Sequence, residues 1–363
     1  MSRSRLSRAA CGTVLCCLAA AFPLYSAASE GSSPRPAAVP ALGLLGTKAL
    51  AAVAAPAVRL TDALRPKATG VRVALISSGV DPAALPESLR GRISHPWGAG
   101  DQLGLGTYSS SVLLQLADQV KITSLNVFEK GSLKPARQVQ ALEWAAANAK
   151  NLDVVMLAAS PHEFLDPVSE AMQSGYWKTV LDVSADQPLA TRSGLVMGIP
   201  MDAGQRAKAL EGATTTERAA AARFAATVHR WQKVREVIAS ISSSGVSVVS
   251  PAGDLGPGLQ TVLGVANLPE VISVGGFDGR AVSASSASGP SIDGSVKPDL
   301  IAPSGIVGVL PESSALAKSL DAAGVLSPSL SPLWDAGDAP SRARARLDSS
   351  LTSATLVAAA TGG

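Results

Sequence analysis

The chain has 363 residues, of which 47% are hydrophobic, 4% aromatic and 16% charged, with a mean hydropathy of +0.25. This composition is that of one large or two small folded domains with an aliphatic core, and it excludes global disorder. The formal net charge is only +3.

The first 28 residues have the pattern of a secretory signal peptide. Arg3, Arg5 and Arg8 precede an apolar segment from Ala9 to Leu24, and small residues suited to cleavage follow. The apolar segment is shorter than the ~20 residues of a membrane span, and an uncleaved anchor is the alternative. All three cysteines lie in this segment, so we expect a secreted or lumenal protein without disulfides or thiolate metal sites.

Cleavage of this segment removes the excess positive charge, because 28 of the 31 basic residues remain against 28 acidic ones. A nucleic-acid partner therefore has no electrostatic support. Residues 29–66 are rich in Ala, Pro, Gly and Ser and are predicted to form a low-complexity leader or linker. Their one apolar run is interrupted by Gly, Pro and Lys48, so we expect no stable membrane span.

Residues 67–363 are predicted to form one α/β domain. Strand and helix patterns alternate from residue 70, which is typical of a mostly parallel sheet covered by helices on both faces. The predicted elements are a strand at Val71–Ile76 that ends in a Ser-Ser-Gly turn, a helix at Gly104–Asp118, a strand at Lys121–Phe128, an amphipathic helix at Ala136–Ala149 and an apolar strand at Asp153–Ala159.

Residues 161–227 interrupt the alternation and are interpreted as an insertion. An Ala-rich helical run starts at Thr215 and continues towards Ala239. Two interpretations stay open for this segment: a surface insertion with one added helix, or an arm that binds a partner. Strand patterns resume at 246–253 and 271–278.

Five segments resemble motifs of the subtilisin-like serine proteases (subtilases), in the family's order. Val71–Asp81 resembles the strand and turn of the catalytic aspartate, and Gly104-Leu-Gly-Thr-Tyr108 resembles Gly-His-Gly-Thr-His. Ala252-Gly-Asp-Leu-Gly-Pro-Gly258 resembles Ala-Gly-Asn-Asp-Gly-Pro-Gly, and Leu347–Ala359 resembles the segment around the nucleophilic serine. Ser286–Pro303, with its Gly-Pro-Ser-Ile-Asp-Gly-Ser-Val-Lys-Pro-Asp core, is the most specific match.

The resemblance covers residues 70–160 and 228–360 and implies the subtilisin-like three-layer fold. A Val-Gly-Gly strand and the lack of a histidine after the nucleophile motif favour the site-1-protease-like branch. The chain ends twelve residues after Leu351, so we expect the family's central helix to be C-terminally truncated. Family-type calcium sites cannot be placed from the sequence, no metal-ligand spacing is present, and no cofactor is expected.

The resemblance also implies that the reactive positions are replaced. Ser77 stands at the position of the aspartate, Leu105 at that of the histidine, Asp254 at that of the oxyanion asparagine and Leu351 at that of the nucleophile. Leu157, Ala158 and Ala159 match the strand that forms a wall of the substrate cleft. We therefore predict a catalytically inactive homologue that binds a peptide or protein, with Leu105 and Leu351 in contact.

Two alternatives to this prediction stay open. In the first, the chain is an active endopeptidase that uses non-standard residues, with a hydroxyl flanking Leu351 as the nucleophile and the imidazole of His95 as the base. The other alternative is a decayed family member without a settled role. The sequence indicates no oligomeric state.

Overall fold

The structure is a computed structural model. It describes residues 70–117, 119–158, 215–253, 258–259, 261–262, 264–277, 281–291, 294–303, 307–322 and 343–346. The predicted signal peptide and leader, most of the insertion, Asp254, Ala159 and residues 347–363 lie outside these ranges.

A seven-stranded parallel sheet forms the centre of the domain. Its order is β2-β3-β1-β6-β7-β8-β9, so β1 lies between β3 and β6. The strands of this sheet are β1 (Arg72–Ser77), β2 (Ile93–Ser94), β3 (Lys121–Asn126), β6 (Val154–Leu157), β7 (Ser247–Pro251), β8 (Val271–Phe277) and β9 (Leu300–Pro303). Two small antiparallel pairs lie outside it, β4 (Phe128–Glu129) with β5 (Ser132–Leu133) and β10 (Val307–Leu310) with β11 (Ala343–Arg346).

Five α-helices are described, together with short 3-10 turns at Pro82–Ala84, Ala149–Asn151 and Gly264–Asn267. The helices are α1 (Glu87–Arg90), α2 (Leu105–Leu116), α3 (Pro135–Ala147), α4 (Thr215–Ser243) and α5 (Ala315–Ala322). All elements that the sequence predicted within the described ranges are present, with ends that differ by a few residues. The predicted α/β class with a mostly parallel sheet is confirmed.

Helices cover both faces of the sheet because the strands are apolar on both sides. Ala74 and Ile76 of β1 pack in one core with α3 and α4, whereas Val73 and Leu75 pack in a second core with Leu113 and Leu114 of α2. Side chains of a strand point alternately to its two faces, so β1 serves both cores. Continuous apolar strands are typical of buried parallel sheets.

Helix α4 crosses the predicted end of the insertion at residue 227 and continues to Ser243. Its second half belongs to the main core, where Trp231, Val234, Ile238 and Ile241 are buried. Their spacing of three and four residues places them on one face of the helix. Residues 231–241 are therefore part of the helical layer, and the insertion boundaries themselves stay a prediction.

Candidate active-site region

The carboxyl ends of β1 and β6 lie side by side at the point where the order of strands in the sheet reverses. After β1 the chain builds β2 and β3 on one side, and after β6 it continues to β7 on the other side. In open parallel sheets, ligands bind in the crevice at such a switch point. Ser77 ends β1, Leu157 ends β6 and Ala158 follows it directly, so three of the predicted site residues come together here.

Leu105 begins α2 and reaches the same edge of the sheet. Its side chain is 4% exposed and belongs to the apolar core that contains Ile76, Leu125, Leu157 and Phe128. The side chain has no group that can accept or donate a proton. The start of α2 thus places a hydrocarbon at the switch point.

Two glycines allow α2 to approach the turn after β1 at backbone distance. A Cβ on Gly106 would clash with the carbonyl group of Gly79. The Gly106 N–H donates to Ser78 Oγ over 3.0 Å, and the N–H of Asp81 donates to Thr107 Oγ1 over 2.9 Å. These bonds fix the first turn of the helix against the end of β1.

Asp101 accepts four hydrogen bonds at this junction. Oδ1 accepts from the Ser78 hydroxyl and from the Gly104 N–H, both over 2.7 Å. Oδ2 accepts from the N–H and the hydroxyl of Thr107, both over 2.8 Å. The carboxylate therefore caps α2 and joins it to the turn after β1, as side-chain oxygens do at helix N-termini.

Burial raises the pKa of Asp101 to about 6, although its hydrogen bonds to Thr107, Gly104 and Ser78 oppose the shift. The residue is 6% exposed, and no ion pair joins it to a lysine or arginine of the described ranges. Its four lone-pair positions all have donors, which leaves none for a substrate. Asp101 therefore has a structural role and does not act as an acid or a base.

Ser77 is the last residue of β1 and directly precedes Ser78, which bonds to Asp101. The residue is 1% exposed, and its Oγ has no hydrogen-bond partner among the described residues. Its backbone carbonyl accepts from the Val127 N–H over 2.9 Å. A serine hydroxyl has a very high pKa and carries no negative charge, so Ser77 cannot orient and stabilise an imidazolium.

The segment Ser286–Pro303 is held by a buried lysine. The side chain of Lys297 is 4% exposed, and its Nζ donates to the carbonyls of Leu268 and Val271 over 3.2 and 2.7 Å and to Asp299 Oδ2 over 2.7 Å. All three ammonium protons thus have acceptors, as a buried cation requires. Lys297 ties this segment to β8.

The sequence profile of the Subtilase family matches residues 98–330, which is more than half of the chain. The chain belongs to the subtilase family. The matched range includes Leu105, Leu157 and the Lys297 segment, and it begins after Ser77. No curated protein is similar enough in sequence to match this subtilase.

Solved structures of proteases are similar to this chain at low sequence identity. A lanthipeptide protease is 15% identical with a TM-score of 0.44, over 80% of this chain and 72% of that one. A cold-adapted subtilisin-like serine proteinase is 17% identical with a TM-score of 0.38, over 68% of each chain. Fervidolysin from Fervidobacterium pennivorans, a keratinolytic enzyme, is 14% identical with a TM-score of 0.40, over 81% of this chain and 36% of that one.

Several predicted site residues of this subtilase fall outside the described ranges, namely Ala159, Asp254 and Leu351. The predicted contact between Leu105 and Leu351 therefore stays a prediction, as does the truncated central helix. Leu157 and Ala158 are described, and both side chains are fully buried. They form part of the sheet core, and the Ala158 N–H donates to the Ile76 carbonyl over 2.9 Å.

His95 follows β2, which is separated from β1 by β3. Its Nδ1 is buried and has no hydrogen-bond partner within the described ranges. Burial lowers the pKa of His95, and the nearby carboxylate of Asp81 opposes this shift. His229 lies exposed on α4, and His162 lies outside the described residues.

The part of the chain that the structure describes contains no cluster of three or more His, Cys, Asp or Glu side chains suited to a metal ion. Within the same ranges, no helix is both long enough and apolar enough to span a bilayer. Sequence reasoning missed Asp101 and Lys297. Asp101 lies four residues before the helix, outside the N-cap position where a capping side chain is expected, and the partners of Lys297 lie in a distant segment of the chain.

Proposed function

We propose that this subtilase is catalytically inactive and acts by binding a peptide or a protein. The observation that carries the proposal is Leu105, which sits buried in the apolar core at the switch point of the sheet. If Leu105 occupies the position of the family's histidine, the general base is replaced by a hydrocarbon. The fold is kept around a position that has lost its proton acceptor.

Acyl transfer by a serine needs a nucleophilic hydroxyl, a base, a carboxylate that orients the base and donors for the oxyanion. The proposed correspondences replace all four, with Leu351, Leu105, Ser77 and Asp254 respectively. In subtilisin, loss of one triad member lowers turnover by up to about 10⁶-fold. An ionised Asp254 would moreover repel the negative charge that develops on the oxyanion.

An active enzyme with non-standard residues is the alternative from a different class. It requires a base within hydrogen-bond reach of a serine. The carboxylate of Asp101 already accepts four hydrogen bonds, and the buried Nδ1 of His95 has no hydrogen-bond partner among the described residues. These two observations support the loss of catalysis.

Labelling with a fluorescent fluorophosphonate separates the two functions. An active subtilase serves as the positive control, and the heat-denatured protein measures non-specific labelling. We expect the folded protein to show no labelling above the denatured sample. Stoichiometric labelling of one serine that disappears on denaturation contradicts the proposal.

Peptide binding and the secretory route need their own measurements. The route predicts that protein recovered from the medium of an expressing cell begins after Ala27 or Ala28, which mass spectrometry of the intact chain reads directly. The binding role predicts that peptides selected from a random library share a sequence preference and protect from hydrogen exchange the amides of the segments that follow β6 and β7 in the chain. Selected peptides that give no protection, or no preference over scrambled sequences, contradict it and leave a decayed family member as the remaining explanation.

A further inference from the structure

Three consecutive serines in α2 differ in the hydrogen bonds that their hydroxyls make. The Ser109 hydroxyl donates to the Leu105 carbonyl over 2.6 Å. The Ser111 hydroxyl donates to the Tyr108 carbonyl over 2.7 Å and accepts from the Val309 N–H over 2.9 Å. The Ser110 residue is fully buried, and its Oγ has no partner among the described residues. Since serines in a helix commonly bond back to a carbonyl of the preceding turn, Ser110 is the exception that needs an explanation.

Ser110 lies on the face of α2 that packs against β1. It follows Gly106 by four residues and precedes Leu113 and Leu114, and residues at these spacings share one face of a helix. Gly106 contacts the turn at Gly79, and the two leucines pack in the same core as β1. The hydroxyl of Ser110 is therefore enclosed between the helix and the sheet.

Ser77 is on the face of β1 that packs against α2, at the same height along the strand as Ser110 along the helix. Val73 and Leu75 pack with α2, and Ser77 shares their face because side chains alternate along a strand. Four helical residues rise about 6 Å, which equals about two strand residues of about 3.3 Å each. Counted from the contact between Gly106 and Gly79, Ser110 is thus opposite Ser77.

The neighbouring polar groups are already occupied. The Thr107 hydroxyl donates to Asp101 and accepts from the Asp81 N–H. The Ser78 hydroxyl donates to Asp101 and accepts from the Gly106 N–H. Neither can serve Ser77 or Ser110 as a donor. The Ser77 and Ser110 hydroxyls do not bond to each other either.

We infer that one internal water molecule is bound between the Ser77 and Ser110 hydroxyls and bridges β1 to α2. Water fits the pair because it donates and accepts at once, and buried waters take two to four polar partners that otherwise lack one. A cation or an anion does not fit, because both groups are neutral hydroxyls and the nearby Asp101 carboxylate is saturated. The site lies at the switch point, beneath the start of the helix that carries Leu105.

A double-mutant cycle with Ser77→Ala and Ser110→Ala tests the bridge. Each single variant removes one partner and releases the water, so we expect each to raise the unfolding equilibrium constant about fivefold. The double variant is expected to match a single variant, because the water is already lost. The matched control is Ser109→Ala, whose hydroxyl has its own acceptor; combined with Ser77→Ala, it should behave additively.

Oxygen-17 relaxation dispersion counts long-lived internal waters on the same proteins. We expect each single variant to hold one water fewer than the wild-type protein, while Ser109→Ala keeps the wild-type number. Both results are required. Additive effects of Ser77→Ala and Ser110→Ala, a lower unfolding constant in either single variant, or an unchanged water count overturns the inference.

Discussion

Replacement of Asp101 by alanine is expected to destabilise the protein strongly. The carboxylate accepts from the Ser78 hydroxyl, the Gly104 N–H and both donors of Thr107, and all four lie in a buried site. Each buried donor left without an acceptor costs about 1–3 kcal/mol. Even the lower end gives a loss of about 4 kcal/mol, a large fraction of the ~5–15 kcal/mol that holds a domain folded.

Urea unfolding followed by circular dichroism measures this loss. Asp101→Asn is the matched variant, because its Oδ1 still accepts from two donors while its amide nitrogen meets the other two. We expect its loss to be roughly half that of Asp101→Ala. If Asp101→Ala unfolds within about 1 kcal/mol of the wild-type protein, the four bonds do not hold the start of α2 and the reasoning fails.

The wild-type protein and the Asp101→Asn variant also test how the free energy of unfolding depends on pH. The pKa of Asp101 is raised from 3.8 to about 6 in the folded state, so the folded state holds this proton more tightly than the unfolded chain does. The contribution of Asp101 to the free energy of unfolding is therefore full below pH ~4 and is lost as the pH rises through ~6, by about 3 kcal/mol. The difference in stability between wild type and Asp101→Asn should fall over this window; a flat difference refutes the buried carboxylate.

Three further changes probe the packing around the site. Gly106→Ala places a Cβ against the backbone of Gly79. We therefore expect α2 to shift and the free energy of unfolding, measured in urea, to fall by about 1–3 kcal/mol. An unchanged urea midpoint contradicts the close approach of the two backbones. Lys297→Met removes the ammonium that donates to the Leu268 and Val271 carbonyls and to Asp299, although Asp299 keeps two donors from Ser273. We expect a loss of about 3 kcal/mol, measured by calorimetry as a lower Tm. An unchanged Tm means that the buried ammonium is dispensable. Leu105→Ala should cost about 2–5 kcal/mol of unfolding free energy, and a neutral result in denaturant titration argues that Leu105 is not a core residue.

The sheet and its covering helices could be predicted because their signals are local. Apolar runs at β1, β6, β7 and β8 and the 3.6-residue period of α3 each occur within a single segment. The family motifs then supplied the order of the elements along the chain. Boundaries differed by a few residues because helix ends depend on caps, and the cap of α2 is Asp101, a side chain outside the helix.

The interior of the site could not be predicted, because it depends on contacts between distant segments. The sequence placed Ser77 and Leu105 near each other through the family resemblance alone. It gave no sign that Ser110, which a helical pattern treats as ordinary, is fully buried opposite β1 without a partner. The sequence likewise carries no sign that the ammonium of Lys297 is buried, with its Nζ 2.7 Å from the carbonyl oxygen of Val271 in β8.

Catalytic inactivity is measured by incubating the purified protein with a peptide library and identifying the products by mass spectrometry. We expect every peptide to remain full length after long incubation, while an active subtilase cleaves the same library in parallel. New peptide ends that share a flanking-residue preference, and that disappear after pretreatment with a fluorophosphonate, would show that the protein is a working serine endopeptidase and would contradict the account.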